Sequence, residues 1–129
     1  MNHESRKIKS FTDLNAWREA HTLVLEIYRI TKQFPKEEQF GLTNQIRRAG
    51  VSITSNIAEG FSRNSYREKV QFYSMSLGSL TEVQNQLLIA RDIGYIETDI
   101  FQKVAAQSVA VNKLINGLIK SSKAVIHDS

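Results

Sequence analysis

A chain of 129 residues, 41% of them apolar, holds enough for one domain with its own core and too much for disorder. One proline and six glycines are too few for the turns of a sandwich or barrel, and the absence of cysteine excludes disulfides, thiolate chemistry and Cys-ligated zinc. The formal charge of +4 favours an anionic partner, while no stretch is apolar enough to span a bilayer and no apolar run follows the basic start MNHESRKIKSF, so a cytoplasmic protein is expected.

Residues 1–10 read as a flexible basic arm, and residues 11–127 as a single domain. The first helix is expected from Asp13 to about Gln33, with Thr12 as its N-cap. It carries two apolar stripes. One runs through Leu14, Trp17, His21, Val24, Tyr28 and Thr31, the other through Ala16, Ala20, Leu23, Ile27, Ile30 and Phe34. Pro35 ends it, because the residue before a proline is pushed out of the helical region.

An acidic link, Lys36 to Gln39, leads to a second helix over roughly Phe40 to Phe61. Its apolar ladder passes through Leu42, Ile46, Ala49, Ile53, Ile57 and Phe61 at helical spacing. Beside it runs a polar ladder through Arg48, Ser52, Ser55, Asn56, Glu59 and Arg63. A helix needs the first ladder in order to fold. It does not need the second to be made of short hydrogen-bonding groups, so that face is expected to touch something specific.

Ser65 and Glu68 form a capping-box pattern that opens the third helix, which should reach Ile93 and stop at Gly94. Val70, Tyr73, Leu77, Leu80 and Leu87 lie on one side of it, with Phe72, Val83 and Ala90 on another. The fourth helix starts near Thr98, with Asp99 suited to the dipole of its first turn, and continues to about Ile126. Four helices of similar length joined by short links predict an all-α, antiparallel up-down four-helix bundle. The apolar faces are wider than one core requires, which predicts self-association. Gly50 and Gly78, inside helices and beside Ala49 and Ser79, are expected at close helix crossings.

Nothing in the sequence points to catalysis. His3 and His127 fall in tails, and His21 reads as a partly buried histidine bonded to a neighbouring helix. The Glu-x-x-His pairs of a di-iron bundle are missing, as are a P-loop, a dinucleotide fingerprint and H-E-x-x-H. No cofactor and no metal are implied. The basic residues Arg47, Arg48, Arg63, Arg67 and Lys69 group on the second helix and its turn into the third, and form the candidate nucleic-acid-binding set. Arg63 and Arg67 are expected close across that turn, and a Glu59–Arg63 pair at i,i+4 competes for the same guanidinium. Lys103, Lys113, Lys120 and Lys123 read as a solvated face of the fourth helix.

The segments GLTNQIRRA, SITSNIAEG and GSLTE, in that order, resemble the bacterial four-helix-bundle proteins encoded in intervening sequences of 23S ribosomal RNA genes, the S23 family. The resemblance spans about residues 11–120 and departs at Thr54, where proline is common in the family. It implies an up-down bundle assembled as a ring-shaped homopentamer, with no enzyme activity and with contact to RNA or a ribonucleoprotein. The family is distantly similar to the basic accessory proteins of diversity-generating retroelements, which bind a reverse transcriptase. An accessory subunit of that kind is therefore the alternative. The resemblance also gives the polar ladder a structural meaning: Ser52, Ser55, Asn56 and Glu59 would pair across helices or subunits and fix register.

Overall fold

The structure, a computed structural model, describes residues 7–128. The first six residues of the expected arm lie outside them. Four α-helices make up most of the described residues: α1 (Asn15–Thr31), α2 (Leu42–Ser62), α3 (Tyr66–Asp92) and α4 (Thr98–Asp128). Each packs on its chain neighbours, and α4 closes the bundle against α1. Among the described residues there is no strand and no helix long and apolar enough to cross a membrane.

The start of α1 differs from expectation. Thr12 does not cap the helix. Ser10 instead caps a separate 3-10 turn, Phe11–Asp13, whose Asp13 carboxylate accepts from the backbone N–H of Lys9 (2.9 Å) and Ser10 (3.0 Å). That reciprocal cap closes the turn on itself. Leu14 is extended, and α1 begins only at Asn15. The same bonds tie down Lys9 and Ser10, which the sequence assigned to a loose arm. The acidic link also folds, as a 3-10 turn over Lys36–Glu38. The Glu38 carboxylate accepts from the Leu42 N–H at 3.1 Å, supplying the start of α2, and from the Tyr95 hydroxyl at 2.9 Å. It thus joins both loops at one end of the bundle.

The other boundaries follow the sequence. Ser65 Oγ accepts from Glu68 N at 3.1 Å at the head of α3. At its tail Gly94 takes a φ of +87°, and Tyr95 N–H returns to Ala90 O at 2.8 Å. That is the left-handed exit glycine permits. Thr54 leaves α2 unbroken, its hydroxyl donating to Val51 O at 2.9 Å.

Leu23 and Ile27 of α1, Ile46, Ile53 and Ile57 of α2, Leu80, Val83 and Leu87 of α3, and Val104, Val111 and Ile115 of α4 are all enclosed. Each such side chain contributes about 1.5–3 kcal/mol through burial. The two stripes read on α3 are one surface. Tyr73, Leu80, Val83, Leu87 and Ala90 are all buried, because the helix is clasped by both α2 and α4 and so hides a wider arc. Of the two stripes on α1, the one through Ala16, Ala20, Leu23, Ile27 and Ile30 is buried throughout; in the other, His21 and Tyr28 are exposed.

Enclosure of Tyr73 sets an alkaline limit on stability. Desolvation, with Tyr66 adding to it, raises its phenol above the ordinary 10.0. The folded state therefore holds this proton more tightly, and stability present below 10.0 is lost as pH climbs through the raised value. Tyr95 acts in the same direction through its bond to Glu38. Desolvation lowers Lys69, which opposes them only up to its ordinary 10.5. Urea midpoints are expected to fall with rising pH across the tyrosine titration, and to fall less in Tyr73→Phe. Equal slopes in parent and variant would refute the assignment.

Candidate nucleic-acid interface

Three of the five basic candidates are engaged within the bundle. Arg47 reaches from α2 to the end of α1: its Nε donates to Thr31 Oγ1 (2.8 Å), its Nη2 to Tyr28 O (3.4 Å), and its guanidinium lies 4.6 Å from the Tyr28 ring centroid. A cation there meets the carbonyl end of α1. Lys69 does the same for α2. Its Nζ donates to Phe61 O at 2.7 Å and Gly60 O at 3.4 Å and sits near the rings of Phe61 and Tyr66. Arg63 turns back on its own helix, pairing with Glu59 at 2.7 Å and approaching Glu68 at 4.0 Å, over the Phe72 ring. Glu68 is thereby drawn toward Arg63. Its carboxylate does not complete the reciprocal half of the capping box.

Arg48 and Arg67 are different. Both are exposed, and neither has a carboxylate partner among the described residues. Lys103, Lys113, Lys120 and Lys123 are likewise exposed along α4.

The polar ladder of α2 divides as well. Ser52 Oγ meets Ser79 Oγ of α3 at 2.8 Å, and Asn56 Nδ2 donates to Ser52 O (2.9 Å) and Ser52 Oγ (3.1 Å). Ser76, fully buried, donates across the same seam to Ile53 O at 2.8 Å. Ser52 therefore bonds α2 to α3 within one chain, and Asn56, one turn along α2, braces it. Glu59 is spent on Arg63, and Ser55 is exposed.

Small residues bring these helices close. The glycine at the tightest point is one the sequence reading passed over. A Cβ on Gly60 would come within 2.7 Å of Tyr73 Cε1. Gly50 lies, as expected, at a close approach, here against α1: a Cβ on it would come within 3.2 Å of Ile27 Cδ1. Gly78 does not: nothing lies within 4 Å of a Cβ built there, because it faces away from the seam.

Above the seam, Gln45, Arg48, Ala49, Ser52, Glu82 and Gln86 line a groove of about 320 Å³. Gln86 is 8% exposed, and its Oε1 is buried without a hydrogen-bond partner. The α3 members of this site were not singled out from sequence, although a signal existed. Ser76, Ser79 and Gln86 recur at helical spacing inside an apolar stripe, where polar groups need partners. His21 also departs from expectation. It is exposed and stacks on Trp17 (centroids 4.6 Å apart, planes 16° apart) instead of bonding a neighbouring helix.

The family model described as 23S rRNA-intervening sequence protein matches residues 12–117. The chain belongs to that family. A crystal structure at 1.70 Å of a protein of unknown function from the S23 ribosomal protein family of Bacteroides thetaiotaomicron VPI-5482 superposes with a TM-score of 0.75. It is 22% identical, and the match covers 81% of this chain and 95% of that one. At that identity it supports the bundle alone. No curated protein matches the chain. The segment matched by the 23S rRNA-intervening sequence family takes in α1, α2, α3 and most of α4, and so contains the seam and its groove.

Proposed function

We propose that this intervening-sequence protein is a non-catalytic, self-assembling cytoplasmic bundle that binds RNA or a ribonucleoprotein through its basic surface. The observation that carries the reading is the pair Arg48 and Arg67, exposed and unpaired in a chain of net charge +4. Guanidinium groups free of carboxylates are available to phosphates, and each contact releases counterions. Arg47, Arg63 and Lys69 add to the field while serving the fold. The homopentamer implied by resemblance would multiply such contacts. It finds support in apolar side chains left outside the core, such as Leu25, 57% exposed, and Phe40, 88% exposed.

Fluorescence anisotropy of labelled single-stranded RNA at increasing salt tests this reading. Affinity is expected to fall steeply with salt, and Arg48→Ala with Arg67→Ala to flatten the log–log slope by about 0.7 per lost contact. No binding at low salt, or an unchanged slope, ends it. The alternative, a protein-binding accessory subunit such as one serving a reverse transcriptase, draws on an apolar groove of about 290 Å³ between α3 and α4, bordered by Leu88, Phe101 and Val109. Nuclease-resistant co-purification of one specific protein would favour it.

A further inference from the structure

The groove over the α2–α3 seam holds groups the bundle does not satisfy. Arg48 and Glu82 line it from opposite helices without forming an ion pair. Gln86 lines it too, with an amide oxygen sealed from water and bonded to nothing. A buried acceptor left open is unfavourable, so it calls for a donor. Rotation about the last side-chain bond, which is soft in glutamine, exchanges the amide oxygen and nitrogen, so that the oxygen is presented to the groove and the nitrogen takes its sealed place. The site thus offers two acceptors, the Glu82 carboxylate and the Gln86 amide oxygen, beside one cation.

We propose that this groove takes an unpaired guanine nucleotide of RNA, a specificity that rests on the RNA-binding reading above. Guanine presents two adjacent donors on its Watson–Crick edge, the ring N1–H and the exocyclic N2 amine, and single-stranded RNA leaves that edge free. Glu82 accepts from both, Gln86 Oε1 accepts the remaining amine hydrogen, and Arg48 holds the phosphate. Adenine and cytosine carry an exocyclic amine but an acceptor where guanine has N1–H. Uracil has a single ring donor between two carbonyls, which would face the carboxylate.

The test compares an alternating uridine–guanosine oligonucleotide with an oligouridine of equal length, by anisotropy, on the intact protein. Roughly a tenfold preference for the guanosine-bearing strand is expected, the scale of one bidentate base contact. Glu82→Gln and Gln86→Leu should each erode the preference while leaving oligouridine binding intact; Arg48→Ala should weaken both strands alike. Circular dichroism melts establish that each variant is folded, and Glu82→Gln, on an exposed side chain, serves if Gln86→Leu misfolds. Equal affinity for the two strands overturns the guanine site and leaves RNA binding standing. Absence of binding to either strand overturns both. A change in assembly mass on Gln86→Leu, with no strand preference in the parent, shows the groove to be filled by another copy of the chain and likewise overturns the proposal.

Discussion

Gly60→Ala is expected to destabilise the protein and Gly78→Ala to stabilise it, although both place alanine in a helix interior. Helix propensity favours the change by about 1 kcal/mol at each site. At Gly78 nothing opposes it, since no atom lies within 4 Å of the new methyl. At Gly60 the methyl would meet Tyr73 Cε1 at 2.7 Å, Tyr73 Cδ1 at 2.9 Å and Phe72 Cβ at 3.1 Å. The Tyr73 ring is 3% exposed and has little room to move away. Overpacking costs typically about 1–3 kcal/mol, occasionally more, and exceeds the propensity gain when the obstructing group is a rigid buried ring. Opening the α2–α3 seam would also strain the Ser52–Ser79 and Ser76–Ile53 bonds. The check is a pair of urea melts. Midpoints that move in the same direction would mean that Tyr73 yields and that Gly60 is not what sets the helix spacing.

These two glycines also show where the sequence was readable. The four helices, their approximate ends, the apolar ladder of α2 and the exit at Gly94 were legible because each rests on local chemistry: periodicity, a cap, a proline, a left-handed turn. Facing was less so. Gly60 and Gly78 look alike in a string of letters, and only the packing of Tyr73 distinguishes them. The widened buried arc of α3 likewise depends on α2 and α4 both lying against it. At the candidate interface the sequence located the basic group but not its commitments. Arg47 and Lys69 find helix-end carbonyls, and such acceptors leave no mark in the sequence. The Glu59–Arg63 pair was legible because its i,i+4 spacing is intrahelical. Gln86 left a trace in the sequence as a polar residue inside an apolar stripe, but its lack of a partner became visible only once its surroundings were known.

Leu80→Ala should be among the most damaging single changes, while Leu88→Ala, eight residues along the same helix, should be nearly silent in an isolated protomer. Leu80 is fully buried and Leu88 is 42% exposed. Truncating an enclosed leucine removes its transfer free energy and leaves a cavity that interlocked neighbours fill only in part, a loss of about 2–5 kcal/mol. An exposed leucine gives up little of either, and surface changes usually fall within about 0.5 kcal/mol. The comparison therefore reads assembly as well as packing. If identical copies cover the α3–α4 groove that Leu88 borders, Leu88→Ala removes a buried contact between chains. Its melting midpoint should then depend on protein concentration more weakly than the parent's, because dissociation is linked to unfolding. Light scattering beside the melts decides between the outcomes. A Leu80→Ala protein that melts with the parent would refute the core assignment. A parent whose midpoint is independent of concentration and whose mass is that of one chain would remove self-assembly from the proposed function, and the exposed apolar side chains would then need a different partner.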